Sequence, residues 1–172
     1  MTKVRILALA VAAVVSTTAA CGDDDDGGSG TATEFGAQMT GAEEVPPVPT
    51  TATGTATLSL NGSQLTYTVN VTDLDNPVVA HIHIGQEGAN GPVRLNLCGT
   101  GDPQPPCASG DGVLATGVNG TTVGGISFDS LVSALRTGGA YVNVHTDDGE
   151  GEQNTGPGDM ASGEIRGQVV AE

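Results

Sequence analysis

Aromatic side chains are nearly absent from this 172-residue chain, which has no tryptophan, two tyrosines and two phenylalanines. A core must therefore be filled by Val, Ile, Leu and Ala. Phe35, Tyr67, Phe128 and Tyr141 are too few to line a stacking platform, which argues against single-stranded nucleic acid and polysaccharide as ligands. Positive charge is as scarce. Five Lys and Arg stand against 20 Asp and Glu, and beyond residue 20 the only cations are Arg94, Arg136 and Arg166. Nucleic acid and anionic lipid surfaces both need a basic patch, so neither suits this surface. No apolar run reaches the roughly 20 residues of a membrane-spanning helix. Catalytic signatures are missing as well: there is no Gly-x-Ser-x-Gly elbow and no glycine-rich phosphate loop set between a strand and a helix.

What is present begins at the first residues. Lys3 and Arg5 precede the apolar run Ile6 to Val15, and Thr18-Ala19-Ala20 lead to Cys21. Two cations, a short apolar stretch and small residues are the parts of a secretory signal peptide, here residues 1–20. A cysteine directly after the small residues resembles the lipobox of bacterial lipoproteins, with Thr18 where Leu is usual. That resemblance implies that Cys21 is lipidated and becomes the mature N-terminus. Residues 21–32 then form a tether rich in Gly and Asp, with no apolar side chain in Gly22 to Gly30 to bury. The expected location is the bacterial cell envelope, exported and membrane-anchored through lipid without spanning. One acyl chain anchors only marginally, so several are expected.

Residues 33–172 make one domain. With Cys21 assigned to lipid, Cys98 and Cys107 remain as a pair around a Gly/Pro loop, and an even remainder in an exported protein predicts a disulfide. Strands are predicted over Phe35 to Met39, Thr51 to Leu60, Gln64 to Thr72, Val78 to Ile84, Val93 to Leu97, Gly112 to Val118, Ala140 to His145 and Glu164 to Val170. Asn61-Gly62 joins the second and third as a hairpin. Phe128, Leu131, Val132 and Leu135 follow helical spacing, with Ser127 or Asp129 as cap and Gly138-Gly139 as stop. Short strands at this spacing predict a sandwich or a barrel.

All three histidines lie in two of these strands. Successive strand side chains point to opposite faces, so His81 and His83 share one face and Ile82 and Ile84 the other. Tyr141, Asn143 and His145 likewise lie opposite Val142 and Val144. If the strands are neighbours, three imidazoles converge. They then fit two roles. One is a mononuclear zinc or copper site, with Glu164 or Asp147 as a fourth ligand or supporting group. The other is a polar network among strands through Asn143, Glu164 and Arg166, with Arg166 paired to Glu43, Glu44 or Glu164. The acidic run Asp147 to Glu152 reads as a solvated turn, with calcium the alternative.

Four segments together resemble one family. They are Phe35-Gly-Ala-Gln-Met-Thr-Gly-Ala-Glu-Glu-Val-Pro-Pro47, Ala80-His-Ile-His-Ile-Gly-Gln-Glu-Gly-Ala-Asn-Gly-Pro-Val93, Tyr141-Val-Asn-Val-His-Thr146 and Gly163-Glu-Ile-Arg-Gly-Gln168. Their order is similar to the CHRD domain, first described in chordin proteins and found in bacterial exported proteins. The resemblance spans about residues 33–172. It implies a mainly β fold, an immunoglobulin-like or superoxide-dismutase-like antiparallel β-sandwich with one short helix, and no agreed enzymatic activity. The function expected is a cell-envelope lipoprotein that presents this domain to an envelope or extracellular protein, or serves a structural role, without catalysis. The alternative is a mononuclear metal-binding or redox domain built on His81, His83 and His145.

Overall fold

Alternation of apolar and polar residues becomes strand nearly everywhere it occurs. In the computed structural model, which describes residues 32–99, 104–119, 122–147 and 162–172, the strands run β1 (Glu34–Thr40), β2 (Thr53–Asn61), β3 (Gln64–Thr72), β4 (Pro77–Ile84), β5 (Val93–Cys98) and β6 (Gly112–Asn119). After them come β7 (Thr122–Val123), β8 (Ile126–Ser127), the helix α1 (Phe128–Arg136), β9 (Ala140–Thr146), β10 (Ile165–Gln168) and β11 (Val170–Ala171). The expected signal peptide and tether, up to residue 31 and including Cys21, and the acidic residues 148–152 lie outside the described residues.

β2 and β3 pair along their whole length around Gly62 and Ser63. Gly62 has φ 59° and holds the first central position of this two-residue turn, the type II′ pattern. Inward-facing Leu58, Tyr67, Val69 and Val71 are buried, while Thr53, Thr57, Thr66 and Thr72 point to solvent. The short β7–β8 hairpin has no counterpart among the predicted strands, since two-residue strands carry no readable alternation. The predicted strand from Glu164 to Val170 is split. β10 pairs with β9 and β1, the buried Val169 interrupts, and β11 pairs further along β1.

Nine strands form one antiparallel sheet in the order β5-β4-β9-β10-β1-β2-β3-β6, with β11 also on β1. The sheet curls until its two ends approach. There the Tyr67 hydroxyl on β3 donates to the Leu97 carbonyl on β5 at 2.8 Å, and the Cys98–Cys107 disulfide ties the end of β5 to the segment leading into β6. The result is a nearly closed, barrel-like or sandwich-like domain, as the mainly β expectation held.

Helix α1 lays Phe128, Leu131, Val132 and Leu135 into this core. The Ser127 side chain accepts from the Ser130 N–H at 3.2 Å as N-cap, and Gly138 (φ 64°) follows the last turn. Fully burying such a Leu or Val contributes roughly 1.5–3 kcal/mol. Among the described residues no helix is long and apolar enough to cross a membrane.

Candidate metal centre

β4 and β9 are neighbours, so the condition for convergence is met. The register sets Val79 opposite His145, His81 opposite Asn143 and His83 opposite Tyr141. The alternate residues Ala80, Ile82, Val142 and Val144 belong to the apolar core. The histidines therefore occupy the outer face of the sheet. That face is nonetheless buried: His81, His83 and His145 are 9, 8 and 8% exposed, Asn143 2% and Arg166 1%.

Two chain segments cover it. The first, after β1, forms a single 3-10 turn at Gly41–Glu43 and continues through Pro46 and Pro47. β1 is an inner strand of the sheet, so these prolines carry the chain off the ladder and across the face rather than protecting an edge. The second is the loop between β4 and β5. Asn90 Nδ2 donates to the Val45 carbonyl at 2.7 Å and joins the two segments. Arg166 reaches up from β10 to the carbonyls of Gln86 and Ala89, both at 3.0 Å.

Under this cover the imidazoles come together. His81 lies between the other two, with ring centroids 5.6 Å from His83 and 5.2 Å from His145. One nitrogen from each ring lies within 4.8 Å of the others, and among the described residues this is the only His/Cys/Asp/Glu group so placed. Zinc–nitrogen bonds of 2.0–2.1 Å in a tetrahedron set ligand nitrogens about 3.3 Å apart, so small ring movements would close the set.

The proton on His83 is placed by its neighbour. Nδ1 lies 2.8 Å from the Gly91 carbonyl, which only accepts, so Nδ1 carries the hydrogen and Nε2 is left with its lone pair. Nε2 is buried with no hydrogen-bond partner, and so is His81 Nδ1. Buried polar atoms in this state are rare and ask for an explanation. Burial, aided by its two histidine neighbours, lowers the His81 pKa to about 4. Burial also lowers that of His83, against the Gly91 hydrogen bond. Both rings are therefore neutral near pH 7, the form that ligates metal.

Gly91 holds the local geometry. It accepts from His83, and its N–H donates to the Tyr141 hydroxyl at 3.0 Å. A Cβ there would run into the Ile84 carbonyl, so only glycine brings backbone this close. Tyr141 stacks on His83 and carries the Arg166 guanidinium 3.5 Å from its ring centroid.

The three residues read as a polar network divide. Asn143 and Arg166 are cross-strand partners. Glu164 is engaged elsewhere, its two carboxylate oxygens accepting from the Thr50 and Thr146 hydroxyls at 2.6 Å each. Asp147 pairs through its backbone with Asn76. The residue whose weight sequence reading missed is Glu44. It is 1% exposed and accepts from Asn143 Nδ2 with both oxygens at 3.2 Å. Burial raises its pKa to about 7, although Arg166, Asn143 and the Val45 N–H all oppose the rise.

A family model for the CHRD domain matches residues 35–156. The chain belongs to the CHRD-domain family. Three of the four family-like segments fall inside the match, and the fourth, Gly163 to Gln168, lies beyond it. In the structure that fourth segment supplies β10, which joins β9 to β1 and so completes the CHRD sheet. Comparison with curated proteins finds no match.

Proposed function

We propose that this protein is a bacterial cell-envelope lipoprotein whose CHRD domain binds a single zinc or copper ion through His81, His83 and His145. One observation carries the reading: three buried imidazoles offer nitrogens within 4.8 Å of one another. The lone pair of His83 Nε2 and the unpartnered His81 Nδ1 support it, because a cation is a partner that suits a neutral imidazole nitrogen. Three nitrogen ligands leave a fourth position open, the ligand count of a site that keeps water or a small molecule. Cys21 is the lipid attachment in this reading, and the tether holds the domain off the bilayer.

The test is metal titration of envelope-purified protein after chelator treatment. One equivalent of zinc or copper is expected, with a rise in melting temperature, and His83→Ala should lose both. Should wild type and variant carry equally little metal, and neither gain stability from it, the metal reading is wrong. Cys21→Ser should move the protein from the membrane fraction to the soluble one. Retention in the membrane fraction would remove the lipoprotein part alone.

A further inference from the structure

One atom beside the imidazoles is left unexplained by three histidine ligands. Asn143 stands on β9 directly across from His81 and two residues before His145, on the same outer face. Its Nδ2 donates to both oxygens of Glu44 and, at 3.1 Å, to the Ser162 carbonyl. A backbone carbonyl accepts and never donates, so the nitrogen end of the amide is settled whatever the protonation of Glu44. Oδ1 is therefore the other end. It is buried and has no hydrogen-bond partner. Gly163 packs against the amide, where any Cβ would collide with both Oδ1 and Nδ2, so the side chain is held in place.

The Tyr141 hydroxyl is bonded to Gly91, and Gln168 Nε2 donates to the Gly85 and Gly138 carbonyls. Gln168 Oε1 is also buried without a partner, but Gln168 stands across from Tyr141 on the far side of β9 from the histidine strand β4. A water on the fourth position of a three-histidine ion has two protons to donate and little bulk solvent to receive them. Directly opposed residues in an antiparallel pair have Cβ atoms about 4.5–5.5 Å apart. An acceptor at 143 is thus within one water of an ion held by His81.

We propose that Asn143 Oδ1 accepts a hydrogen bond from the water on the metal's fourth position, which makes Asn143 the positioning residue for whatever binds there. The inference rests on the three-histidine metal reading. Glu44 and Ser162 serve it by holding the nitrogen end of the amide, which leaves Oδ1 as the end free to accept.

Two measurements test it. In protein labelled at asparagine side-chain carbons and histidine ring nitrogens, one equivalent of zinc should shift the imidazole signals and the Asn143 Cγ signal together. In the second, cobalt(II) is titrated into wild type, Asn143→Ala and the double variant Asn143→Asp/Glu44→Gln, following visible absorption and chelator competition. The alanine variant should still take one cobalt, about 10–100-fold more weakly and with an altered spectrum, the usual effect of losing a supporting group. The double variant keeps an acceptor at 143 and a donor at 44, so it should recover affinity to within about threefold of wild type. The proposal is overturned if imidazole signals move while Asn143 Cγ does not, or if Asn143→Ala binds cobalt with wild-type affinity and spectrum. If the alanine variant does not fold, the labelled wild type decides alone. Absence of any imidazole shift and of cobalt binding in wild type would instead remove the metal site itself, and this inference with it.

Discussion

His83 and Tyr141 face each other across adjacent strands with ring centroids 4.7 Å apart and planes 13° from parallel, and both bond to the Gly91 carbonyl. The stack orients His83, and the shared carbonyl fixes its tautomer. Ring and hydroxyl of Tyr141 thus have separable jobs. Tyr141→Phe keeps the stack and the Arg166 contact but leaves the half-buried Gly91 N–H without its acceptor, a cost of about 1 kcal/mol. Tyr141→Ala removes the ring as well and should cost about 3–5 kcal/mol. Urea unfolding in the presence of chelator measures both. Equal losses for the two variants would mean that the stack contributes nothing.

The disulfide gives a second prediction. Cys98 and Cys107 are nine residues apart, and Cys98 is fully buried at the point where the sheet ends approach. Closing a loop of that length stabilises by about 2–3 kcal/mol in the chain-entropy model. The Cys98→Ala/Cys107→Ala variant should therefore have an unfolding free energy lower by about that amount in urea titration, while still binding metal with wild-type stoichiometry. Loss of metal binding would show that the clasp at β5 also shapes the histidine face.

Much of this was legible in the sequence, for identifiable reasons. The β2–β3 hairpin, α1 and the shared faces of His81 with His83 and of Asn143 with His145 all follow from strict periodicity, which reports which side chains share a face but not that β4 and β9 are neighbours. Glu44 was not legible in the same way. Glu43 and Glu44 are chemically identical neighbours, yet Glu43 is exposed and Glu44 is buried, because its partner Asn143 lies 99 residues away. Local pattern holds no information about such a contact. The burial of the polar face was hidden for the same reason, since alternation predicts two faces but cannot say that loops fold over the outer one. The break at Val169 came from β1 accepting two partners in succession, a tertiary choice.

Glu164 supplies a third prediction, and it separates two roles that the sequence left open. Its carboxylate links Thr50, in the segment covering the face, to Thr146 at the end of β9. Hydrogen bonds to a charged group contribute about 1.5–3 kcal/mol. Glu164→Gln loses the charge, and its amide nitrogen faces a hydroxyl that must reverse its proton. A destabilisation of about 1–3 kcal/mol is expected by thermal or urea unfolding, with one equivalent of zinc still bound. A variant that unfolds normally but takes no zinc would make Glu164 a ligand instead.

Two buried groups titrate in opposite senses, and this decides how stability responds to acid. The His81 pKa falls from its ordinary 6.5 to about 4, mainly through burial, with His145 and His83 adding to the fall. Between those values the unfolded chain binds the proton and the folded one does not. Its contribution is complete above pH 6.5 and is lost as pH falls toward 4. Glu44 rises from 4.5 to about 7, again mainly through burial. Here the folded protein binds the extra proton, so the contribution is complete below pH 4.5 and is lost as pH rises toward 7. From pH 4.5 to 6.5 the two slopes oppose each other by about one proton each, and the lowered His83 adds to the His81 side. The metal-free protein should therefore lose stability on acidification with a shallow slope. Glu44→Gln removes the compensating group, so its unfolding free energy should fall more steeply over the same window, by up to about 1.4 kcal/mol per pH unit more than wild type. His81→Ala should do the reverse and flatten or invert the dependence. Urea unfolding at half-unit pH steps with chelator present resolves these slopes, and a Glu44→Gln curve parallel to wild type would show that Glu44 does not take up its proton on folding.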